Sequence, residues 1–281
     1  MRILDGGIAF FDSGIGGLTV LNDFLNYYTQ LKRTENGLSD IKTVYYYGDN
    51  FRAPYGNLNE TQIFSYVEEA FAEFDQLQVQ AVVIACNTAT AICIEELRRK
   101  YPFPIIGTEP AVLQAAKEGG EILVLATGAT SNSTRLKSLC EKAEKFYPNS
   151  TIKVYPCEHL AELIERENGQ FDFQFSKILP KATPNAVVLG CTHYIYIKEK
   201  IQNYYQCKVF DGNEGVAKRL TQILCENVNF SNFKEKNEKI KPPLTTTPFL
   251  PTFSLDNTKI CFIGGGKMVN KTKYEQMFAL K

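Results

Sequence analysis

The sequence has no net charge, few histidines and no long apolar run, and each lack excludes a class of function. Its 31 Lys and Arg residues balance 31 Asp and Glu residues, so no global field favours nucleic acid or an anionic membrane. No stretch reaches the roughly 18 apolar residues that span a bilayer, and the N-terminus lacks the segments of a secretory signal. We expect a cytoplasmic protein with a small, soluble substrate and neither nucleic-acid nor membrane partners.

The cysteines and histidines give no sign of a disulfide scaffold or a metal site. The eight cysteines contain no Cys-x-x-Cys pair and are spread over 281 residues, so we expect reduced thiols. Only two histidines are present, and Cys191-x-His193 lacks the usual spacing of zinc ligands. The sequence therefore predicts no metal.

Two glycine-rich segments fall short of nucleotide-binding motifs. Thr19 stands where Gly14-x-Gly16-Gly17 would need its last glycine to bind a dinucleotide. The segment 264–267 fails the P-loop pattern, since Cys261 replaces its first glycine. We expect no cofactor.

Apolar strands alternate with helical stretches from the N-terminus onward, which is typical of a parallel α/β fold. The run 8–11 predicts a first strand, and apolar residues recur at helical spacing from 18 to 28. Asn59 and Gln62 match a capping box at the start of a later helix. Further helices are predicted over 132–146 and 214–227, and a solvated linker over 233–251.

Two segments of the chain are nearly the same: Ala81-Val-Val-Ile-Ala-Cys86-Asn87-Thr88 and Ala186-Val-Val-Leu-Gly-Cys191-Thr192-His193. Each reads as a buried strand that ends in a cysteine followed by polar residues. Ligands of parallel sheets bind at the carboxyl ends of the strands. Two such segments therefore suggest two similar halves that face each other, with a thiol on either side.

A pair of thiols on opposite sides of a pocket suits inversion of a carbon centre. Removal of a proton next to a carboxylate needs a base, stabilisation of the developing charge and little water. A thiolate can be that base, and inversion needs a second acid on the opposite face. Taken singly, each residue has an ordinary explanation: a strand-end cysteine is often core, His193 could be a buried histidine, and Asp12 could cap a helix.

Four motifs in order along the chain resemble the glutamate racemases of the aspartate/glutamate racemase superfamily. They are Phe11-Asp12-Ser13-Gly14-Ile15-Gly16-Gly17, Asp49-Asn-x-Arg52-x-Pro54-Tyr55-Gly56, Ala85-Cys86-Asn87-Thr88-Ala89 and Leu189-Gly190-Cys191-Thr192-His193-Tyr194. The resemblance implies cofactor-independent, two-base interconversion of L- and D-glutamate, which supplies D-glutamate for bacterial peptidoglycan and thus for cell shape, by a homodimer.

The resemblance also assigns roles to individual residues. Cys86 would take the α-proton from D-glutamate and Cys191 from L-glutamate. Asp12 would assist Cys86, and His193 with Glu165 would assist Cys191. The residues expected to bind substrate are Ser13, Tyr55 and Gly56 for the side-chain carboxylate, Asn87, Thr88, Thr130 and Thr192 for the α-carboxylate and ammonium, and Thr127.

The implied fold is α/β, with two similar, pseudo-symmetric domains that have parallel-type sheets and an active site in the cleft between them. We expect residues 1–100 and 211–281 to form the first domain and 101–210 the second. An aspartate or broad-specificity amino-acid racemase is the nearest alternative. A one-thiol decarboxylase or isomerase and a non-catalytic binding protein are more distant alternatives.

Overall fold

The computed structural model describes residues 3–4, 6–34, 40–167, 174–234, 252–255 and 258–263. The strands in this part of the chain are β1 (Ile3–Leu4), β2 (Ile8–Asp12), β3 (Asp40–Ile41), β4 (Thr43–Gly48), β5 (Val82–Ile84), β6 (Ile105–Gly107), β7 (Gly120–Ala126), β8 (Ser150–Pro156), β9 (Ala186–Gly190), β10 (Lys208–Phe210), β11 (Thr252–Leu255) and β12 (Thr258–Ile263). The α-helices are α1 (Gly17–Thr34), α2 (Glu60–Gln76), α3 (Asn87–Lys100), α4 (Val112–Ala115), α5 (Gly128–Asn132), α6 (Thr134–Phe146), α7 (Leu160–Arg166), α8 (Lys198–Tyr205) and α9 (Asn213–Lys234). Short 3₁₀ helices cover Tyr55–Asn57, Ala116–Glu118, Phe175–Lys177 and Thr192–Ile197.

The first sheet has six strands in the order β11-β12-β4-β2-β5-β6. Its strands are parallel except for the antiparallel pair β11 and β12. Along β2, Ile8 and Phe10 enter one apolar cluster and Ala9 and Phe11 enter another. This alternation buries both faces of the sheet under helices, as expected for parallel strands.

The second sheet has four parallel strands in the order β10-β9-β7-β8. Its central strand β9 also feeds two clusters, with Val187 and Leu189 on one face and Ala186 and Val188 on the other. The sheet is therefore covered on both faces as well, and the predicted α/β fold class is confirmed. A small separate sheet pairs β1 with β3.

The last described segments of the chain return to the first sheet, as expected. Helix α9 packs on α1, and β12 pairs with β4. Because β6 pairs with β5, the two sheets divide between residues 107 and 120, not after residue 100. The residue bounds of the two domains stay a prediction.

Local predictions have mixed outcomes. The capping box at Asn59 and Gln62 is confirmed, since each side chain accepts the other's backbone N–H. The predicted helix over 132–146 is confirmed as α6, which begins two residues later because Ser133 caps it by accepting the N–H of Leu136. The short helix α5 just before it was not predicted. Helix α9 extends to Lys234, beyond the predicted 227.

Residues 235–251 of the predicted linker and the glycine-rich segment 264–267 lie outside the described residues. Within the described ranges, none of the helices has the length and apolarity to cross a bilayer.

Candidate active site

Cys86 lies where β5 gives way to helix α3. Its Sγ caps this helix, accepting the backbone N–H of Ala89 at 3.4 Å. The hydroxyl of Ser13 lies 3.7 Å from the same sulfur. A helix N-terminus stabilises negative charge, so the helix and the hydroxyl both act to lower the pKa of this thiol against the effect of its burial.

Cys191 follows β9 in the second sheet and has an imidazole for its partner. His193 Nδ1 lies 3.8 Å from the Cys191 sulfur, and its Nε2 lies 2.7 Å from Glu165 Oε2. The three side chains are buried and form a line from thiol to imidazole to carboxylate. This arrangement can stabilise a thiolate at Cys191 through the His193 imidazolium, whose ring is oriented by the Glu165 carboxylate on its other side.

The first half of the chain contacts the second through the loop after β2. Ile15 donates its backbone N–H to Glu165 Oε2 at 2.9 Å. Thr192 donates its hydroxyl to Asp12 Oδ1 at 3.3 Å, while Asp12 Oδ2 accepts the N–H of Gly14 at 3.0 Å. Thr192, which follows Cys191 directly, is thus bonded to the first half, and Asp12, which lies near Cys86, is bonded to the second.

Three threonines form a closed triangle of hydroxyl groups across the halves. Thr88 Oγ1 lies 3.0 Å from Thr127 Oγ1 and 3.1 Å from Thr130 Oγ1, and the last two are 3.0 Å apart. Asn87, next to this triangle, has a buried Oδ1 that finds no hydrogen-bond partner among the described residues. An unpaired buried carbonyl is costly, so this oxygen suits a ligand with N–H donors.

The two thiols line one cavity. The predicted site residues that line it are Ser13, Tyr55, Gly56, Cys86, Asn87, Thr88, Thr127, Cys191, Thr192 and His193. Three further predicted residues do not line the cavity, but each is hydrogen-bonded to a residue that does: Asp12, Glu165 and Thr130. The structure thus brings all the predicted residues together, while their roles stay predictions.

Burial shifts the titration of the groups around the cavity. It raises the pKa of Cys86 to about 12, and the nearby Asp12 carboxylate adds to the rise. It also raises the pKa of Asp12, against the lowering effect of His193. For His193 burial acts to lower the pKa, but the bonds to Cys191 and Glu165 outweigh it and hold the pKa well above its ordinary value. An imidazolium on the Cys191 side therefore faces a neutral thiol on the Cys86 side.

Two lining residues and one supporting residue carry no role in the sequence analysis. Pro54 and Ala161 line the cavity, and Asp49 accepts the Tyr55 hydroxyl at 2.5 Å. Pro54 and Asp49 belong to the motif from Asp49 to Gly56, so membership of that motif could have identified them. No feature of the sequence identifies Ala161, since a small apolar residue in helix α7 carries no chemistry. In the described part of the chain, no three His, Cys, Asp or Glu residues group closely enough to hold a metal ion.

Comparison with known proteins agrees with this geometry. The sequence profile of the Asp/Glu/Hydantoin racemase family matches residues 28–220. A glutamate racemase of Clostridium perfringens is 36% identical over 242 residues, which are 82% of this chain and 88% of the relative. A glutamate racemase of Leptospira borgpetersenii is 34% identical over 234 residues, 80% of this chain and 84% of the relative.

Solved structures of such enzymes superpose on the chain. The Francisella tularensis glutamate racemase in complex with D-glutamate has a TM-score of 0.69 at 25% identity, covering 97% of this chain and 93% of that chain. The Escherichia coli glutamate racemase in complex with L-glutamate and the activator UDP-MurNAc-Ala has a TM-score of 0.62 at 26% identity, covering 78% and 82%. The resemblance and the expected enzyme class, an isomerase of the racemase type, are confirmed. The chain belongs to the Asp/Glu/hydantoin racemase family.

Proposed function

We propose that this chain interconverts L- and D-glutamate by a two-base racemisation that needs no cofactor. The observation that carries the proposal is the shared cavity, which is lined by a thiol from each half. Each thiol has its own partner, a helix N-terminus for Cys86 and an imidazole for Cys191. A substrate held between them presents opposite faces of its α-carbon to the two sulfurs.

In the direction from L- to D-glutamate, Cys191 acts as the base. Its thiolate takes the α-hydrogen as a proton, and the electron pair of the C–H bond remains on the substrate as an enolate-like anion. The Cys86 thiol then donates its proton to the opposite face and becomes the thiolate. The reverse reaction starts from Cys86, so one proton leaves and one arrives in either direction.

The rest of the cavity suits an amino acid. The free Oδ1 of Asn87 can accept from an ammonium group. A hydroxyl of the triangle around Thr88 can donate to a carboxylate when it gives up its bond to a neighbouring threonine. Both relatives with a bound amino acid named above, from Francisella tularensis and Escherichia coli, hold glutamate.

The family resemblance extends the proposal to the biological role. On that basis the chain supplies D-glutamate for bacterial peptidoglycan and works as a cytoplasmic homodimer. Size measurement in solution checks the dimer, and rescue of a D-glutamate-requiring bacterial strain checks the supply of D-glutamate.

A panel of single enantiomers tests the substrate. Purified protein is incubated without cofactor with L-glutamate, D-glutamate, L-aspartate and a malonate analogue, and the enantiomers are separated on a chiral column. We expect glutamate to approach a racemic mixture from both sides, with aspartate much slower. Equal or faster turnover of aspartate would replace the proposal with a broad-specificity racemase. Release of carbon dioxide from the malonate analogue would favour a one-thiol decarboxylase.

A further inference from the structure

The loop from Asp49 to Gly56 carries Tyr55 into the wall of the cavity, and one buried carboxylate holds it there. Asp49 is fully buried, and its Oδ2 is shared by two donors. The Tyr55 hydroxyl donates to it at 2.5 Å, and Arg52 Nε lies 2.7 Å away. Hydrogen bonds to a carboxylate are shorter and stronger than neutral ones, so this oxygen fixes both partners.

Arg52 is itself fixed from two other directions. Its Nη1 donates to Glu69 on helix α2 at 2.8 Å. Its guanidinium lies over the ring of Tyr66, 3.9 Å from the centroid. The planar guanidinium can serve all three partners at once because its donors point in fixed directions. The loop is thus connected to a helix of the first half by a charged side chain.

Asp49 also connects the loop to the catalytic strand β2. Its backbone N–H donates to the carbonyl of Asp12 at 3.0 Å, and its carbonyl accepts the N–H of Arg52 at 3.1 Å. Any shift of Asp49 therefore moves the wall at Tyr55 and the end of the strand that carries Asp12.

The hydroxyl bond has a consequence for how Tyr55 contacts a ligand. Its single O–H proton is donated to Asp49, so the phenol cannot donate the same proton to a substrate carboxylate. Tyr55 instead contributes its ring and backbone to the cavity wall. The position of that wall therefore depends on the contacts that hold the ring. The ring packs on Phe11 and Tyr66, with centroids 6.1 and 6.2 Å away.

We propose that Asp49 and Arg52 are positioning residues that set the wall formed by Tyr55 and Gly56, and thereby the fit of the substrate's side-chain carboxylate. The inference rests on the proposed function, since it assigns that carboxylate to this wall. These two residues, called the clamp, do not line the cavity and reach the substrate only through this wall. Loosening Arg52 or the Tyr55 hydroxyl therefore weakens substrate binding more than proton transfer, whereas Asp49 also bonds to the backbone of Asp12 and affects both. The clamp acts on both enantiomers alike, because they share the side chain.

Three variants test the clamp against a matched control. Arg52→Lys keeps the charge but loses the fork of donors, Asp49→Asn removes the charge, and Tyr55→Phe removes only the hydroxyl. Lys100→Gln breaks an ion pair with Glu68 on the surface of the same half and serves as the control. Values of kcat and KM are measured for both enantiomers of glutamate, with the melting temperature as a check of folding.

We expect Arg52→Lys and Tyr55→Phe to raise KM about tenfold for both enantiomers, with kcat within about threefold. The control should match the wild type. If Asp49→Asn fails to fold, the two milder variants still decide the matter. Unchanged KM in both, with or without a lower melting temperature, would reduce the clamp to a structural role and overturn the inference. A wild-type protein that does not racemise glutamate would instead overturn the proposed function, and with it the ligand assigned to this wall.

Discussion

His193 Nε2 lies 2.7 Å from Glu165 Oε2, and that same oxygen accepts the backbone N–H of Ile15 from the first half at 2.9 Å. One carboxylate oxygen therefore orients the imidazole beside Cys191 and connects it to the opposite half. The position and the charge of the imidazole both depend on this contact.

Replacing Glu165 tests that dependence. Glu165→Gln keeps the size of the side chain but removes the charge that helps to hold the pKa of His193 well above its ordinary value. A lower pKa means that His193 loses its proton as the pH rises through neutrality. We expect kcat/KM to fall roughly 10- to 100-fold at neutral pH, and to fall further as the pH increases from about 6 to 8. The wild type should stay flat over that range, as measured in a pH series with both enantiomers.

The thermodynamics of racemisation supplies a control. The equilibrium constant between enantiomers is one, so any substitution must change kcat/KM by the same factor in both directions. Unequal factors would indicate an error in the assay. A pH profile of Glu165→Gln that parallels the wild type would contradict the assigned role of the carboxylate.

Asp12→Asn should change two properties of Cys86 in opposite directions. Burial is the main cause of the raised pKa of Cys86, and the Asp12 carboxylate adds to it by repelling the thiolate. Without that charge the pKa falls, so more thiolate is present at a fixed pH near 8. We expect alkylation of Cys86 by iodoacetamide to become roughly tenfold faster, because the thiolate is the form that reacts. Racemisation should slow, because the group that assists Cys86 is gone.

Mass spectrometry of the Cys86 peptide over time measures the alkylation. Cys93, a buried thiol in helix α3, is an internal control that should react at an unchanged rate. Slower or unchanged alkylation of Cys86 in the variant would show that Asp12 does not act on this thiol electrostatically.

Gly16 is required by the close approach of the two halves. A Cβ on Gly16 would lie 2.7 Å from His193 Nδ1 and 2.8 Å from the backbone nitrogen of His193. Backbone atoms cannot give way as a flexible side chain can, so Gly16→Ala should displace the imidazole. We expect activity to fall about 100-fold, since small misplacements are costly in catalysis.

Gly215→Ala is the matched substitution, because a Cβ there meets nothing within 4 Å. It lies in helix α9, where alanine is favoured over glycine by about 1 kcal/mol. Its activity should equal the wild type, and its melting temperature should rise slightly. Full activity of Gly16→Ala, assayed beside it, would contradict a close contact between Gly16 and the backbone of His193.

Much of this architecture could be predicted from the sequence because it depends on local patterns. Apolar runs ending in polar residues identified the strands before Cys86 and Cys191, and parallel strands place such ends at the same edge of a sheet. The capping box at Asn59 is likewise local, since donor and acceptor lie three residues apart.

Contacts between distant residues could not be predicted in this way. The bond from Ile15 to Glu165 joins residues 150 positions apart, and no spacing rule links them. The pairing of β6 with the first sheet depends on how the chain crosses between the halves. The short helix α5 was also missed, because its small polar residues favour turns and caps as much as helix and Ser133 separates it from α6.

Proton exchange at the α-carbon tests the central claim of two bases on opposite faces most directly. Wild type, Cys86→Ser and Cys191→Ser are incubated with each enantiomer of glutamate in deuterated water, and inversion and α-deuterium are followed by chiral separation and mass spectrometry. We predict that the wild type reaches a racemic mixture from both sides, with deuterium in the inverted product, and that neither variant inverts the substrate. Robust racemisation by either single variant would contradict the account.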